Sequence, residues 1–334
     1  MQALVDFYTA NSFLINLIGI NAMLALSIYM TLSCAMLSLS NAASMAVGAY
    51  TAALLTMRTG WGLWPAALAG AVVAGLVALL LGLPILRLRG VFLAIATIGF
   101  GEVVRIVIVN TEALGGSEGF RLNTGQTTVT AGLWEVYAAL AVLIYFFARL
   151  KGSRMGLALE AIREDESAAR TMGINVTLYK VAAYVIGACI AAVAGALYAH
   201  TRSFLSPGDF GFTRAVDILV FAVVGGTFAW RGAIAGAFVM TILSEVLRLV
   251  PPIAGVYVKD YPEIFSGLVL LLIILFLPNG LLSAALHVRL PLVSLWRPDT
   301  GTGAGAQKGE VAPDPRLLEP DGAELASPSG SAKD

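Results

Sequence analysis

The chain has 334 residues, 58% hydrophobic and only 13% charged, with a formal net charge of zero. A soluble domain carries roughly 25% charged residues, so the composition excludes an ordinary water-facing surface, and the neutral balance gives no footing for nucleic acid. Two cysteines, Cys34 and Cys189, each inside an apolar run, exclude a disulfide framework and read as small hydrophobes.

The first ten residues, MQALVDFYTA, lack the basic n-region of a cleavable signal peptide, so the first apolar run is expected to act as its own insertion signal. No Asp, Glu, Lys or Arg occurs between Asp6 and Arg58, nor between Arg58 and Arg87. A spanning helix needs about 20 apolar residues, so the first gap holds two spans and the second holds one. In chain order the pattern predicts spans over 12–36, 40–57, 62–86, 91–110, 131–149, 176–200, 214–229, 231–250 and 263–283, about nine with a range of eight to ten. Segment 214–229 is short and contains glycine, so it reads either as a full span or as a re-entrant piece merged with its neighbour. The expectation is an all-α polytopic membrane protein.

Lys and Arg concentrate on the cytoplasmic side of membrane proteins. Arg87 and Arg89 share one turn, Arg149, Lys151, Arg154, Arg163 and Arg170 share the next, Arg231 marks a third, and Arg289 and Arg297 follow the last span. Alternation through the predicted spans puts all these groups on one face, with the C-terminus inside and the N-terminus outside. The opposite face takes the 111–130 loop, with Glu112 and Glu118, and the 251–262 loop, with Pro251 and Pro252. After Trp296 the chain turns rich in Pro, Gly, Ser and Ala. A segment of that kind buries too little apolar surface to offset its ordering entropy. Residues 1–290 are therefore read as a membrane domain and 291–334 as a disordered cytoplasmic tail. The tail's GTGAGAQKG lacks the Gly-Lys-Ser/Thr of a phosphate-binding loop, so no nucleotide site is expected in this chain.

Small residues let helices in lipid approach closely. Gly70 to Gly75, Gly187 to Gly195, and the GxxxG formed by Gly232 and Gly236 fit tight packing, with lining of a pathway as the other reading. Gly48-Ala49-Tyr50 and Gly236-Ala237-Phe238 hint at an internal repeat. A charge at mid-membrane costs at least about 2.5–3.5 kcal/mol, so Glu102 and Arg105, spaced i, i+3 on the fourth span, need an account. They read either as a neutralised structural pair or, with Thr97, as a polar lining for a solute. Arg214 with Asp217, and Glu245 with Arg248, repeat the spacing near span ends, where snorkelling makes charges cheap. Lys180 and Glu135 also sit near ends, and the two histidines, His200 and His287, flank spans.

The most informative stretch is 150–175, LKGSRMGLALEAIREDESAARTMGIN. Gly152 and Gly156 bracket its start, and Leu157, Leu159, Ala161 and Ile162 supply an apolar side. Asp165 is placed to N-cap a second short helix, Glu166 and Arg170 form an i, i+4 pair, Gly173 suits a helix stop, and Asn175 is placed to cap the next span. Two short helices at the membrane surface are predicted. A plain surface linker has the same composition.

The pattern Ser167-Ala168-Ala169-x-x-x-Gly173 resembles the EAA loop of bacterial ABC importer permeases, in which a small-residue helix and a glycine dock into an ATPase subunit. It departs from that loop at Ser167, where the family has Glu (Glu166 lies one residue earlier), and it lacks the downstream Ile-x-Leu-Pro. The segment Val91-Phe-Leu-Ala-Ile-Ala-Thr-Ile-Gly-Phe-Gly-Glu-Val-Val-Arg105 resembles the fourth-span signature of LivM-type permeases. Leu114-Gly-Gly-Ser-Glu-Gly-Phe120, Ser206-Pro-Gly-Asp-Phe210, Gly225-Gly226 and Phe276-Leu-Pro-Asn-Gly-Leu-Leu282 are similar to that family in order and spacing, over roughly residues 15–285.

The resemblance implies an ABC importer permease fold and a subunit that moves branched-chain or related amino acids across the bacterial inner membrane. Urea, short amides and other amino acids are substrates of similar permeases. It further implies a second, LivH-like permease, two ATP-binding cassette ATPases that hydrolyse the ATP, a periplasmic binding protein and surrounding lipid, with no cofactor in this chain. In the ATPase-coupling loop, Glu160, Arg163, Glu164 and Asp165 would make polar docking contacts, Ala168, Ala169 and Gly173 would permit close approach, and Glu166 and Ser167 lie between them. A secondary transporter would need a membrane-embedded ion or proton site, and a membrane enzyme a cluster of nucleophiles, acids or metal ligands. The spans display neither beyond Glu102.

Overall fold

A computed structural model describes residues 2–88, 90–122, 132–202, 204–226, 229–249 and 267. All belong to the first of two compact units, Met1–Leu290, and the second, Pro291–Asp334, holds no described residue. The expected span 263–283 apart from residue 267, the 251–262 loop, the Phe276–Leu282 segment, the tail, Arg89, Arg289, Arg297, His287 and the Arg248 side chain lie outside the described residues.

Ten helices and one short strand pair carry the described chain. Helix α1 (Gln2–Leu32) is followed by a reversal, then α2 (Asn41–Thr59), α3 (Leu63–Ile85) and α4 (Val91–Val109). Strand β1 (Phe120–Arg121) precedes α5 (Leu133–Lys151), the short α6 (Arg154–Glu164) and α7 (Glu166–Thr171), and α8 (Val176–Arg202). Strand β2 (Phe204–Leu205) leads to α9 (Phe212–Gly225) and α10 (Trp230–Leu249). Most predicted spans coincide with a helix to within a few residues, because glycines and basic residues punctuate their ends. The first stops at Leu32, four residues before the predicted 36, where Ala35 takes a left-handed backbone with φ 55°. The Met36 amide donates back to the Thr31 carbonyl at 3.2 Å, closing that turn.

Five described helices are long and apolar enough to cross a membrane: Ser12–Leu32 of α1, α3, α4, α5 and α8. Helix α2 is long enough but carries Asn41, Ser44 and Thr56, all buried. It is enclosed by neighbouring helices and needs no apolar skin. The expected spans 214–229 and 231–250 are instead one pair, α9 and α10, bent by 118° across a short break. With 14 residues, α9 is about 21 Å long, short of the roughly 30 Å hydrocarbon core. The alternative of a re-entrant or broken segment is the one this geometry matches.

Helix α8 is the centre, packed by α1, α2 and α3. The approach is set by absent side chains. A Cβ at Gly48 of α2 would lie 2.3 Å from the Ala192 carbonyl oxygen, and one at Gly195 of α8 would lie 2.1 Å from that of Met45. Gly232 and Gly236 face Gly225 and Phe221, so this GxxxG packs α10 onto α9 within the chain. Helix α3 turns a stripe of exposed leucines and valine outward: Leu68, Val72, Leu76, Leu80 and Leu83.

The two ends of the bundle differ. At one end Thr56 meets His200 at 3.0 Å, Arg202 lies over the Phe13 ring at 5.1 Å, and β1 pairs antiparallel with β2. At the other, Tyr29 and Ser33 of α1's exit, Lys151 of α5, α6 and Trp230 line one small recess, while Arg87 meets the start of α8 beside α7. The described members of the basic groups therefore gather at one end.

Replacing Gly195 by Ala forces two backbones apart and is expected to cost about 1–3 kcal/mol, read as a lower thermal midpoint in detergent. Gly99, where an added Cβ meets nothing within 4 Å, is the control: Gly99→Ala should leave the midpoint at the parent's or raise it, by at most about 1 kcal/mol, because alanine is the better helix former.

Candidate functional site

The 150–175 stretch forms the two predicted short helices, and its caps explain why. Ser153 begins α6: its hydroxyl accepts the Gly156 amide at 3.1 Å and donates to the Leu150 carbonyl at 2.8 Å. Sequence reading passed over this cap, although a serine directly before a helical stretch is a recognised start signal. Asp165, in extended backbone, ends α6 and starts α7, its Oδ1 accepting the amides of Ser167 at 2.7 Å and Ala168 at 3.0 Å. Gly173 takes φ 84°, and the Ile174 amide reaches back to the Ala169 carbonyl at 3.1 Å. Asn175 Oδ1 accepts the Leu178 amide at 3.2 Å, opening α8.

The module is bolted to the bundle by apolar and ionic contacts. Ala158, Leu159 and Ile162 of α6 are buried. Glu166 accepts Arg170 at 2.6 Å within α7 and Lys180 at 2.7 Å from α8. The outward side carries Glu160, Glu164, Asp165, Ser167, Ala168 and Gly173, all exposed, while Arg163 is half-buried in the recess beside Trp230. Two expectations change. Leu157 is exposed rather than packed inward, because it stands on the far side of α6 from Leu159 and Ile162. Ala169 is buried against this chain's own body, so its small size serves internal packing, while Ala168 beside it is exposed. Met172, 83% exposed, joins Leu157 as an apolar knob that pattern reading missed.

The pathway candidates do not form one lining. Thr97 is fully buried; its Oγ1 accepts the Leu39 amide at 3.0 Å and donates to the Ala94 carbonyl at 2.9 Å, tying the reversal after α1 to α4. Arg105 Nε donates to Glu102 Oε1 at 2.9 Å, and the pair is partly exposed on another face of α4. Glu102 borders a narrow cleft with Leu39, Phe210 and Phe212.

An interior polar group was missed. Arg214 donates to Asn21 Oδ1 at 2.7 Å, Asn21 Nδ2 donates to Thr241 at 2.9 Å, and the guanidinium lies 6.0 Å from the Tyr198 ring centre. Asn21 lies in the middle of α1's apolar run, and the half-buried Arg214 reaches it from the first turn of α9, with the Tyr198 ring face and the carboxylates of Asp217 and Asp209 offsetting its charge. The signal available in the sequence was Asn21 itself, a polar side chain in a charge-free span. At the end where the strands pair, the Gly-Gly segment and the Ser206–Phe210 segment meet: Phe120 pairs with Leu205, and Tyr50, Tyr198 and Phe210 contact edge to face.

Removing the α7 cap with Asp165→Ala should cost about 1 kcal/mol and raise amide exchange over 166–171 about fivefold, with Asp165→Asn close to the parent. Hydrogen exchange with mass detection reads both.

The comparisons with known proteins bear on the same segments. Residues 11–277 match the family described as branched-chain amino acid transport system / permease component. The high-affinity branched-chain amino acid transport system permease protein LivM of Salmonella typhimurium is 32% identical, over 88% of this chain and 71% of that protein. LivM of Escherichia coli K12 matches with the same identity and coverage. The LivH permease protein of Escherichia coli K12 is 33% identical over 51% of this chain and 51% of its own length. No solved structure matches. The matched span contains α4, the strand pair and the α6–α7 module, and with it the chain belongs to the permease component family of branched-chain amino acid transport systems.

Proposed function

We propose that this chain is one transmembrane permease of an ABC importer in the bacterial cytoplasmic membrane, carrying branched-chain or closely related amino acids. The observation that carries the reading is the α6–α7 module. It is capped at both helix starts, bolted to α8 by Glu166–Lys180, and presents a polar surface with two apolar knobs beyond the apolar bundle. A surface so built supports docking of a partner that pushes. The partners are two ATPases on this face, a second LivH-like permease beside the bundle, and a periplasmic binding protein that delivers substrate. ATP is bound by the ATPases, and this chain supplies no nucleotide site. The family description and the names of the relatives favour branched-chain amino acids over urea or short amides.

In this reading the basic end, with α6 and α7, faces the cytoplasm, and the strand pair faces the periplasm. The N-terminus lies outside. Eight to ten spans make up the membrane domain, eight when α9 and α10 count as one bent pair, with the expected span 263–283 outside the described residues apart from residue 267. ATPase closure shifts the module as a rigid body, and Lys180 passes the motion to α8, the helix that α1, α2 and α3 rest on. The Glu102–Arg105 pair stands on a face of α4 that lipid would penalise, so the second permease and the solute path lie there. Glu160, Glu164, Asp165, Ser167, Ala168, Met172 and Gly173 meet the ATPase.

Ala168→Asp and Met172→Asp, both on exposed positions with ordinary backbone, should leave membrane levels unchanged and cut uptake at least tenfold while the ATPases lose substrate stimulation. Uptake and stimulation that survive both would remove the docking assignment. In a background without Cys34 and Cys189, a cysteine replacing Gly99 on α4 should cross-link to the second permease, and one replacing Leu76 on α3 should not.

A further inference from the structure

Where α3, α7 and α8 meet at the basic end, a cavity of about 450 Å³ is lined by Leu83, Leu86, Arg87, Glu166, Arg170, Val176, Thr177, Lys180 and Val181. That volume falls in the roughly 300–1,000 Å³ range of small-molecule sites. Its chemistry is divided. The α3 and α8 walls are aliphatic; the rim carries three cations and one carboxylate. Glu166 is already shared between Arg170 and Lys180, and among the described residues no carboxylate pairs with Arg87. Among the described residues the rim therefore holds more positive than negative charge.

The apolar side continues beyond the cavity. Leu68, Val72, Leu76, Leu80 and Leu83 run along the outward face of α3, each more than half exposed. Arg87 follows Leu83 by four residues, so the stripe leads to the cationic rim. A ligand that satisfies both halves has an anionic head and a long hydrocarbon chain. Basic recesses between spanning helices are known to take acidic lipid head groups.

We propose that this recess binds an anionic phospholipid, with its phosphate held by Arg87, Arg170 and Lys180 and an acyl chain laid along the leucine stripe of α3. The head group then shares Arg170 and Lys180 with Glu166, so it sits on the ion pairs that anchor α7 to α8. Charge complementarity selects lipid over a protein partner here, because the aliphatic walls belong to helices long enough to span the bilayer.

The test uses the full chain reconstituted in phosphatidylcholine vesicles doped with spin-labelled phosphatidylglycerol or spin-labelled phosphatidylcholine. The parent should immobilise phosphatidylglycerol in preference. Arg87→Gln, which breaks no described ion pair, should weaken that preference about fivefold, the equivalent of roughly 1 kcal/mol per basic side chain at the surface, and Arg87→Gln with Arg170→Gln should abolish it. Phosphatidylcholine contact should not change, nor should Arg154→Gln at the same end alter either signal. A preference that survives the double variant overturns the proposal. Release of the label by inorganic phosphate alone would make this a free-anion site. Loss of the preference when the ATPases are bound would make it a protein-docking surface.

Discussion

Helices α1 and α2 rest on α8 at backbone distance and α3 packs on its side chains, and the rest of the described fold is arranged around that contact. Apolar surface gives no driving force between helices in lipid, since the tails are as apolar as leucine. What holds helices there is close packing and hydrogen bonding. Gly48 against Ala192 and Gly195 against Met45 supply the first. The same contact ties α1, α2 and α3 to one helix.

Charge is used in three ways along this chain. Arg214, half-buried at the start of α9, is held by Asn21 and the Tyr198 face and offset by Asp217 and Asp209. Since Asn21 also donates to Thr241, one amide joins α1 to both arms of the bent α9–α10 pair. Glu102 and Arg105 neutralise each other on an exposed face of α4, which suits contact with protein or solute rather than lipid. Glu166, Arg170 and Lys180 form the third group, at the surface, where they fix a short helix that has too few residues to stand alone.

Much of this was legible in the sequence because its determinants are local. Charge-free runs bounded by Gly and Arg set α3 and α4 to within a residue or two of the prediction, and Asp165, Gly173 and Asn175 marked the ends of α7 and the start of α8. Two of the motif segments that resembled LivM-type permeases, Leu114 to Phe120 and Ser206 to Phe210, also meet in space beside β1 and β2. What sequence could not give was long-range. Arg214 looks like a span-end charge until Asn21, 193 positions away, is beside it. Ala168 and Ala169 are alike in composition, yet one faces out and the other in. The early stop of α1 depends on a left-handed alanine, which local propensity disfavours.

The central claim is that this chain is a gate worked by partners rather than a transporter by itself. Affinity purification of the full chain from its native membrane in mild detergent, followed by native mass measurement, tests it directly. The account predicts one copy of this chain with one second permease and two ATPases. Recovery of the chain alone, together with amino-acid uptake by vesicles that contain only this chain, would contradict it.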